Sequence, residues 1–338
     1  MTTGQNQVSG YTPAVDLGDE QLNSRIAAGM ETVEDLLRSE LSQGADFITD
    51  KVLHLTTAGG KRFRPMMALL AAEYGPHAES DNVYKAASVV EIVHLATLYH
   101  DDVMDEADQR RGVESANSRW SNSVAILSGD VLLAHASRIM STMDSLTVRH
   151  FGETFQELVT GQMRETLGAG ESDPVEHYQK VIEEKTAVLI ASAGYLGAYH
   201  AGADEPTQRS LQTIGGAIGM IFQIVDDIID LFSDPKDSGK IPGTDLREGV
   251  FTLPVLYALA EDSAAANELR SLLTGPLEAE DDVQRAIALI RETEGRAKAL
   301  ADVQAHLDVV DRELDKLPDI AATRALRLLA EYTMRRVG

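Results

Sequence analysis

The chain has 338 residues, with 54 acidic and 30 basic side chains, so its formal net charge is −24 at pH 7. This acidity argues against binding to nucleic acid or to anionic membrane surfaces, because both attract basic proteins. The absence of cysteine excludes disulfide bonds and thiolate catalysis within these residues, and it suits a reducing cytoplasm.

The N-terminal segment of residues 1–17 is polar, and we expect it to be a disordered lead-in. It has neither a basic region nor an apolar core, so it does not resemble a signal peptide. No run of about 18 apolar residues free of charge occurs in the chain, so we expect no membrane span. Residues 18–338 show no change in composition that would mark a linker, and they are predicted to form one domain.

Helical periodicity dominates these residues. N-terminal caps support two of the helices, since Asp81 precedes one and Asp173 with Pro174 opens another. Strict alternation of apolar and polar residues, which is typical of strands, is missing. The predicted fold class is therefore all-α. The predicted helices cover about 19–43, 46–57, 64–74, 82–105, 114–123, 129–142, 148–168, 174–201, 206–232, 252–261, 280–292, 295–316 and 320–336.

Two stretches interrupt the helical pattern. "TTAGGKRFRP" (56–65) places two glycines and three basic residues ahead of a helix, and "SDPKDSGKIPGTDLREG" (233–249) is a long polar segment. Loops as long as the second one tend to bind ligands or to close over a site when they occur in a compact domain. We therefore expect residues 233–249 to form a lid.

The same aspartate cluster occurs twice, in "LYHDDVMDEADQRRG" (98–112) and in "QIVDDIID" (223–230). Helix positions four apart share a face, so the first and last aspartates of each cluster project side by side. Such carboxylates repel one another unless a cation compensates them, and Mg²⁺ is often held by carboxylates together with phosphate oxygens. A solvated acidic helix end is the alternative for a single copy, but two copies at the ends of apolar helices favour a metal site. The clusters are Asp101, Asp102 and Asp105, and Asp226, Asp227 and Asp230.

Basic residues supply the complementary charge. Arg110 and Arg111 follow the first cluster, and a guanidinium group binds phosphate through two hydrogen bonds. The glycines of GGKRFRP let the backbone approach an anion beside its basic side chains. The other cations and the histidine two turns before the first cluster are Lys61, Arg62, Arg64, His94, Lys185, Lys236 and Lys240. No P-loop or kinase motif is present, so the sequence indicates two phosphorylated substrates bridged by Mg²⁺, with diphosphate leaving from carbon.

These motifs closely resemble those of the all-trans isoprenyl (polyprenyl) diphosphate synthases. The resemblance runs from about residue 50 to residue 335 and is carried, in order, by "GGKRFRP", "EIVHLATLYHDDVMDEADQRRG", "EKTAVLI", "FQIVDDIIDLFSD" and "GKIPGTDLREGVFTLP". It implies a bundle of mostly antiparallel helices around a central cavity. It also implies that the protein is a homodimer. It also implies Mg²⁺-dependent condensation of an allylic diphosphate (dimethylallyl, geranyl or farnesyl) with isopentenyl diphosphate.

The resemblance further assigns roles to individual residues. All six aspartates would be metal ligands and would hold a cluster of three Mg²⁺ ions on the allylic diphosphate. The residues implied to bind that diphosphate are Arg110, Lys185, Thr186, Gln223 and Lys240. Those implied to bind isopentenyl diphosphate are Lys61, Arg64, His94 and Arg111. Catalysis would depend on Asp101, Asp105, Asp226, Lys185, Thr186 and Gln223. Val250 stands where many members carry a lysine, so one late diphosphate contact is missing.

The residues just before the first aspartate cluster bear on product length. In this family, aromatic residues four and five positions before the first aspartate stop the product from growing. Thr97 and Ala96 occupy these positions here and are small, so we expect growth past the farnesyl stage. The preceding helix, about 30 Å long, leaves room for roughly six extended isoprene units, so we expect a product of about 30–50 carbons, suited to a quinone side chain. Geranylgeranyl diphosphate is the alternative product if Tyr99 or Met140 closes the cavity earlier.

Two other classes of protein are alternatives. A non-catalytic partner subunit of a heteromeric synthase commonly loses the aspartates that this chain keeps. A class I terpene cyclase usually lacks the second aspartate cluster and has no use for GGKRFRP, since it binds no isopentenyl diphosphate. We therefore favour an active synthase.

Overall fold

The computed structural model describes residues 16–233 and 242–335. Residues 1–15 of the predicted lead-in and residues 234–241 of the predicted lid lie outside the described residues. Within the described ranges, helices account for nearly all of the regular structure, so the predicted all-α class is confirmed.

The helices are α1 (Glu20–Leu41), α2 (Asp46–Val52), α3 (His54–Thr57), α4 (Phe63–Ala72), α5 (Asp81–Met104), α6 (Ala116–Arg119), α7 (Asn122–Met140), α8 (Ser145–Leu167), α9 (Pro174–Ile182), α10 (Val188–Ala201), α11 (Glu205–Phe232), α12 (Thr244–Glu248), α13 (Leu253–Leu259), α14 (Ala264–Leu272), α15 (Glu280–Arg291), α16 (Gly295–Leu314) and α17 (Ala321–Arg335). Two short strands, β1 (Gln109–Arg110) and β2 (Val113–Glu114), lie between α5 and α6. A five-residue π turn, Glu183–Ala187, separates α9 from α10.

The chain divides into two compact units. The first consists of residues up to 152, 192–211 and 319–326, and the second of residues 153–191, 212–318 and those from 327 onward. The single domain expected over residues 18–338 stays a prediction.

The first unit is built around α5, which packs against α1, α4 and α7. The cap of α5 is Ser80, whose side chain accepts a backbone hydrogen bond, and not the predicted Asp81. Asp81 is the first residue of the helix and adds a negative charge to the first turn, where the helix dipole favours it. The helix ends at Met104, where the backbone N–H of Asp105 donates to the carbonyl oxygen of Asp101. The first aspartate cluster therefore lies at the C-terminal end of a well-packed helix.

The segment before α7 differs from the sequence prediction of helices over 114–123 and from 129. The structure has the four-residue α6 and then α7 from Asn122. Trp120 leaves the helical conformation, and Ser121 has an extended backbone that lets its side chain cap α7. Of the helices in the described ranges, α7 alone is long and apolar enough to cross a membrane by length and composition. It carries Asp130 and Arg138 and packs along α5.

A β-hairpin follows α5, and the sequence prediction did not include it. Its register leaves Arg111 and Gly112 as the two-residue loop. Both residues have positive φ, 54° and 76°, as a type I′ hairpin turn requires. The hairpin thereby fixes the position of Arg111 and of Arg110 in its first strand.

In the second unit, α13 packs against α9 and α16, and α14 packs against α15. Asp173 caps α9 and Pro174 is its first residue, so the predicted start of this helix is confirmed. The helix predicted over 174–201 is interrupted by the π turn. Two helices, α12 and α14, are additions to the predicted set, and α12 lies within the predicted lid segment.

Candidate active site

The middle residue of the first aspartate cluster is buried and is bound by an arginine. Asp102 is fully buried, and its Oδ1 accepts a hydrogen bond of 2.6 Å from Nε of Arg110. Burial raises the pKa of Asp102, and the charge of Arg110 opposes that rise. Its Oδ2 is buried with no hydrogen-bond partner among the described residues. Asp101 is partly buried and Asp105 is exposed, so the cluster offers carboxylates at the end of α5.

Arg64 and His94 form part of a basic group in the same unit. Burial, followed by the charges of Arg64 and Arg111, holds the pKa of His94 well below its ordinary value. The imidazole is therefore neutral at pH 7 and has one N–H to donate. Burial lowers the pKa of Arg64 to about 10, so its guanidinium stays charged. The buried Nε of Arg64 has no acceptor in the part of the chain that the structure describes. An anion would supply one.

Arg111 belongs to the same basic group and contacts the glycines of GGKRFRP. Its Nη1 donates to the carbonyl oxygens of Leu55, at 3.1 Å, and Gly59, at 2.5 Å. Gly60 has a φ of +144°, and a Cβ atom there would lie 3.0 Å from Cζ of Arg111. This position therefore requires glycine both for its backbone conformation and for the close approach of the guanidinium.

The three basic residues of GGKRFRP separate into two kinds. Lys61 is exposed and Arg64 is partly buried. Arg62 is buried instead, and its guanidinium forms ion pairs with Glu34 and Glu91. Arg62 therefore pairs with carboxylates of the protein. The sequence alone places it among the cations available to bind phosphate.

The second aspartate cluster is held by neutral donors. Asp227 is 2% exposed. Its Oδ2 accepts a hydrogen bond of 2.8 Å from the Tyr178 hydroxyl, and its Oδ1 accepts one of 3.0 Å from Nε2 of Gln223. Asp230 is 5% exposed and accepts backbone hydrogen bonds from Thr244 and Asp245. Each of these two carboxylates is therefore oriented by fixed donors.

A further carboxylate, Asp245, joins this cluster. Burial raises the pKa of Asp227 to about 7 and that of Asp245 to about 8, and the neighbouring aspartates add to both shifts. Both groups are therefore protonated more readily than an ordinary carboxyl. The second cluster is thus a region in which a cation would be stabilised.

The π turn carries the next candidate residues, Lys185 and Thr186. Nζ of Lys185 lies 2.5 Å from Oε2 of Glu165. The Thr186 hydroxyl donates to Oε1 of Gln223 at 3.2 Å. The structure therefore joins Thr186, Gln223 and Asp227 in one chain of hydrogen bonds.

Two glycines allow neighbouring helices to approach the π turn closely. A Cβ at Gly161 of α8 would lie 2.7 Å from the backbone nitrogen of Lys185, and one at Gly219 of α11 would lie 2.6 Å from Cα of Ala187. Any larger side chain at either position would displace the turn. The turn is therefore packed between two backbones.

The aspartates fit a divalent cation by their chemistry. Over residues 16–233 and 242–335, no group of three acidic or histidine side chains forms a ready-made cage for a metal ion. Mg²⁺ does not need one, since it commonly uses one or two carboxylates, water and substrate phosphate oxygens. The unpartnered oxygen of Asp102 and the raised pKa of Asp227 both indicate missing positive charge. The residues present therefore suit a metal that arrives with a phosphorylated substrate.

The residues linked to product length lie on α5. Ala96 is fully buried, and the hydroxyl of partly buried Thr97 donates to the carbonyl oxygen of His94 at 2.9 Å. The Tyr99 hydroxyl donates to the carbonyl oxygen of Lys51 and accepts from the backbone N–H of Leu55. The Tyr99 ring is thereby anchored to α2 and α3.

The remaining sequence candidates divide between the described and undescribed parts of the chain. Lys236 and Lys240 lie outside the described residues. Val250 is exposed, and its backbone N–H donates to the carbonyl oxygen of Asp245 at 2.8 Å.

Sequence reasoning missed Tyr178, Glu91 and Asp245. Tyr178 precedes Lys185 by seven residues, the same two-turn spacing that drew attention to His94. Glu91 is a charged residue inside the apolar run "AASVVEIVHLA", and such a residue is seldom buried without a partner. The sequence therefore contained a signal for Tyr178 and one for Glu91. Asp245 can be recognised as part of the site only from the fold, which places it beside Asp230.

An all-α chain with two aspartate clusters and a separate basic group has the features of the trans-isoprenyl diphosphate synthases. The model of the polyprenyl synthetase family matches residues 46–290. The chain therefore belongs to this family and is a trans-prenyltransferase, as the sequence predicts.

Individual relatives agree with this assignment. The chain is 48% identical to the nonaprenyl diphosphate synthase of Mycobacterium tuberculosis, over 96% of this chain and 97% of the relative. A crystal structure of geranylgeranyl pyrophosphate synthase from Corynebacterium glutamicum, complexed with calcium and isoprenyl diphosphate, is 60% identical with a TM-score of 0.89, and the match covers 96% of this chain and 100% of that one. A decaprenyl diphosphate synthase from Rhodobacter capsulatus is 32% identical with a TM-score of 0.83, covering 94% and 99%.

Proposed function

We propose that this prenyltransferase condenses an allylic diphosphate repeatedly with isopentenyl diphosphate and releases an all-trans polyprenyl diphosphate of about 30–50 carbons, suited to a quinone side chain. The observation that carries the length is the pair of small residues, Ala96 and Thr97, at the growth-limiting positions. The name of the M. tuberculosis relative, a nonaprenyl diphosphate synthase, also supports a long product. Geranylgeranyl diphosphate is the second candidate product, supported by the name of the C. glutamicum structure.

Product chromatography after incubation with farnesyl diphosphate and excess isopentenyl diphosphate tests the length. We expect the wild type to extend beyond the geranylgeranyl stage. Ala96→Phe should shorten the products because its ring occupies volume needed by the growing chain, and Ala96→Ser should leave them unchanged. A wild type that stops at geranylgeranyl diphosphate would establish the second candidate instead. A Phe variant whose products are no shorter would remove Ala96 as a determinant.

The six aspartates are the proposed ligands of Mg²⁺, with three ions present when substrate is bound. The bound ions would supply Lewis-acid stabilisation of the departing diphosphate. Asp102 and Asp227 have a second role in this proposal, since they accept hydrogen bonds from Arg110 and Gln223 and so orient these side chains.

The chain's own donors would complete the reaction. Arg110 and Lys185, with Lys240, would bind the allylic diphosphate and take up the charge that develops as it leaves. Thr186 and Gln223 would present oxygen atoms to the allylic cation. Water must be excluded at this stage because it would trap the cation. The predicted lid over residues 233–249 is proposed for that task.

The basic group of the first unit is proposed to bind isopentenyl diphosphate through Lys61, Arg64, His94 and Arg111. The unpartnered Nε of Arg64 and the neutral His94 support this assignment. Replacing Arg64 or His94 by Ala should raise the KM for isopentenyl diphosphate by about 10–100-fold, the effect of losing a charge-assisted hydrogen bond. Arg110→Ala or Lys185→Ala should chiefly raise the KM for the allylic substrate. Equal effects of all four variants on both substrates would rule out this division.

A homodimer is proposed because apolar side chains are exposed on two helices. Ile126 and Leu127 on α7, and Val159, Met163 and Leu167 on α8, are exposed. Large exposed apolar patches often mark interfaces, and these side chains are proposed to lie in the contact between two protomers. Light scattering should report a dimer that Leu127→Glu weakens, with Leu328→Glu, at an exposed position on α17, as the control. A monomeric wild type would exclude the dimer. The absence of cysteine supports placing this dimer in the cytoplasm.

A further inference from the structure

Glu91 is a buried carboxylate to which neither the sequence nor the proposed reaction assigns a task. It lies on α5, one turn before His94, and is 1% exposed. Its Oε1 lies 3.0 Å from Nη1 of Arg62 and 3.6 Å from Nη2 of Arg111. A buried charge is unfavourable unless partners compensate it. The charge of buried Glu91 is therefore compensated by two guanidinium groups, which come from two separate segments of the chain.

The two arginines share an unusual backbone conformation. Arg62 has a φ of 48° and Arg111 a φ of 54°, both in the left-handed region that side chains other than glycine seldom adopt. Such conformations persist where surrounding contacts hold them, and they concentrate at functional sites. The side chains of both residues pair with Glu91, the carboxylate that these two left-handed positions share.

Each arginine also fixes the glycine loop of GGKRFRP. Arg62 donates to the carbonyl oxygens of Thr56, at 2.9 Å, and Gly59, at 3.4 Å. Arg111 donates to Gly59 as well, and its guanidinium packs on Gly60. The loop is thus bound from two sides by side chains that Glu91 holds together. Lys61 and Arg64 flank Arg62 in the sequence, so their positions depend on this arrangement.

The charge of Glu91 also matters to its neighbours. Arg62, Arg64, Arg110 and Arg111 all act on His94 as nearby positive charges. Arginines gathered in this way repel one another before an anionic ligand binds. A carboxylate among them offsets part of that repulsion while it leaves the Nε of Arg64 without an acceptor.

We propose that Glu91 is a positioning residue for isopentenyl diphosphate: it holds the side chains of Arg62 and Arg111 together and thereby presets the loop and the basic side chains that receive this substrate. The proposal rests on the assignment of that substrate to the basic group. In this role Glu91 acts through the two arginines that its carboxylate contacts.

Steady-state kinetics of Glu91→Gln test this role, because the amide keeps the shape of the side chain and removes its charge. We expect the KM for isopentenyl diphosphate to rise at least about tenfold, the loss expected when a residue that supports a binding group is replaced. The KM for farnesyl diphosphate and the kcat at saturating substrates should stay within about twofold. Glu34→Gln is the matched comparison, since Glu34 pairs with Arg62 and, among the described residues, forms no ion pair with Arg111. It should raise the KM for isopentenyl diphosphate less than Glu91→Gln does, because Arg111 keeps its partner.

A second variant and a direct measurement guard against misfolding. Glu91→Asp keeps the charge on a shorter side chain and should give an intermediate KM. Calorimetric titration of isopentenyl diphosphate into the protein without allylic substrate should show the same order of affinities, wild type over Glu91→Asp over Glu91→Gln. An unchanged KM in both Glu91 variants, an equal rise for both substrates, or an equal effect of Glu34→Gln would overturn the proposal. A wild type that forms no prenyl product in the same assay would instead overturn the proposed function.

Discussion

The two aspartate clusters have the same sequence pattern and different surroundings. In the first, the buried middle aspartate, Asp102, is bound by the charged Arg110. In the second, the equivalent Asp227 is bound by neutral groups, the hydroxyl of Tyr178 and the amide of Gln223. Asp102 is therefore paired with a positive charge, whereas the two side chains that donate to Asp227 within the described residues are uncharged. Burial accordingly raises the pKa of Asp227 to about 7, while Arg110 opposes the rise at Asp102. The second cluster has the greater need of a cation.

The largest expected effect tests what the clusters share. Asp101→Ala and Asp226→Ala should each lower kcat by more than about 100-fold, since replacing residues that merely support metal ligands already costs about 10–100-fold. EDTA should abolish turnover, and added Mg²⁺ should restore it. Asp282→Ala, at an exposed position in α15, is the control. Full activity after removal of divalent metal would show that neither cluster is a metal site.

A smaller effect should separate the clusters. Tyr178→Phe removes one of the two side-chain donors that hold Asp227, so the Mg²⁺ concentration giving half-maximal activity should rise about tenfold. Tyr332→Phe, at an exposed position on α17, should leave it unchanged. The measurement is activity against Mg²⁺ concentration at saturating substrates. An identical metal requirement in Tyr178→Phe would mean that the neutral donors have no part in preparing the second cluster.

The smallest effect concerns stability without metal. The pKa of Asp245, about 8 in the folded chain, lies above its value in an unfolded chain, about 4. The folded state therefore loses stability as the pH rises from about 4 to 8, because the unfolded chain releases the proton first.

In EDTA, Asp245→Asn should consequently raise Tm at pH 8, with each kcal/mol worth about 1–2 °C in a chain of this size. The gain should shrink as the pH falls towards 4. Calorimetric melting of the wild type, Asp245→Asn and the exposed control Asp282→Asn gives the comparison. A Tm gain that is the same at pH 5 and at pH 8 would contradict the assigned cause.

The sequence predicted the helices and the clusters because both depend on local spacing. Aspartates four apart share a helix face whatever the rest of the chain does, and the predicted cap at Asp173 acts within one turn. The hairpin that holds Arg111 was missed because each strand has two residues, too few for an alternating pattern. The partners of the clusters were missed for another reason. Tyr178 reaches Asp227 across 49 residues, and no local pattern records that contact.

The partners of the basic residues could not be predicted from local sequence patterns either. GGKRFRP contains three cations in four residues, and composition alone treats them alike. The backbone of Arg62 is left-handed, which directs its side chain to Glu34 and Glu91. The sequence therefore does not reveal that Arg62 pairs with protein carboxylates, whereas the fold does.

In the π turn, the number of residues matters to the structure as much as their identity. An α-helix advances by about 100° per residue, so the extra residue in Glu183–Ala187 resets the direction of everything after it. Deleting one residue there would restore a regular helix and remove the wide turn that carries Lys185 and Thr186. Gly161 and Gly219 admit only the existing path of the backbone. Natural and engineered variants should therefore accept exchanges in this segment far more readily than insertions or deletions, and alignments of relatives should show no gaps across it.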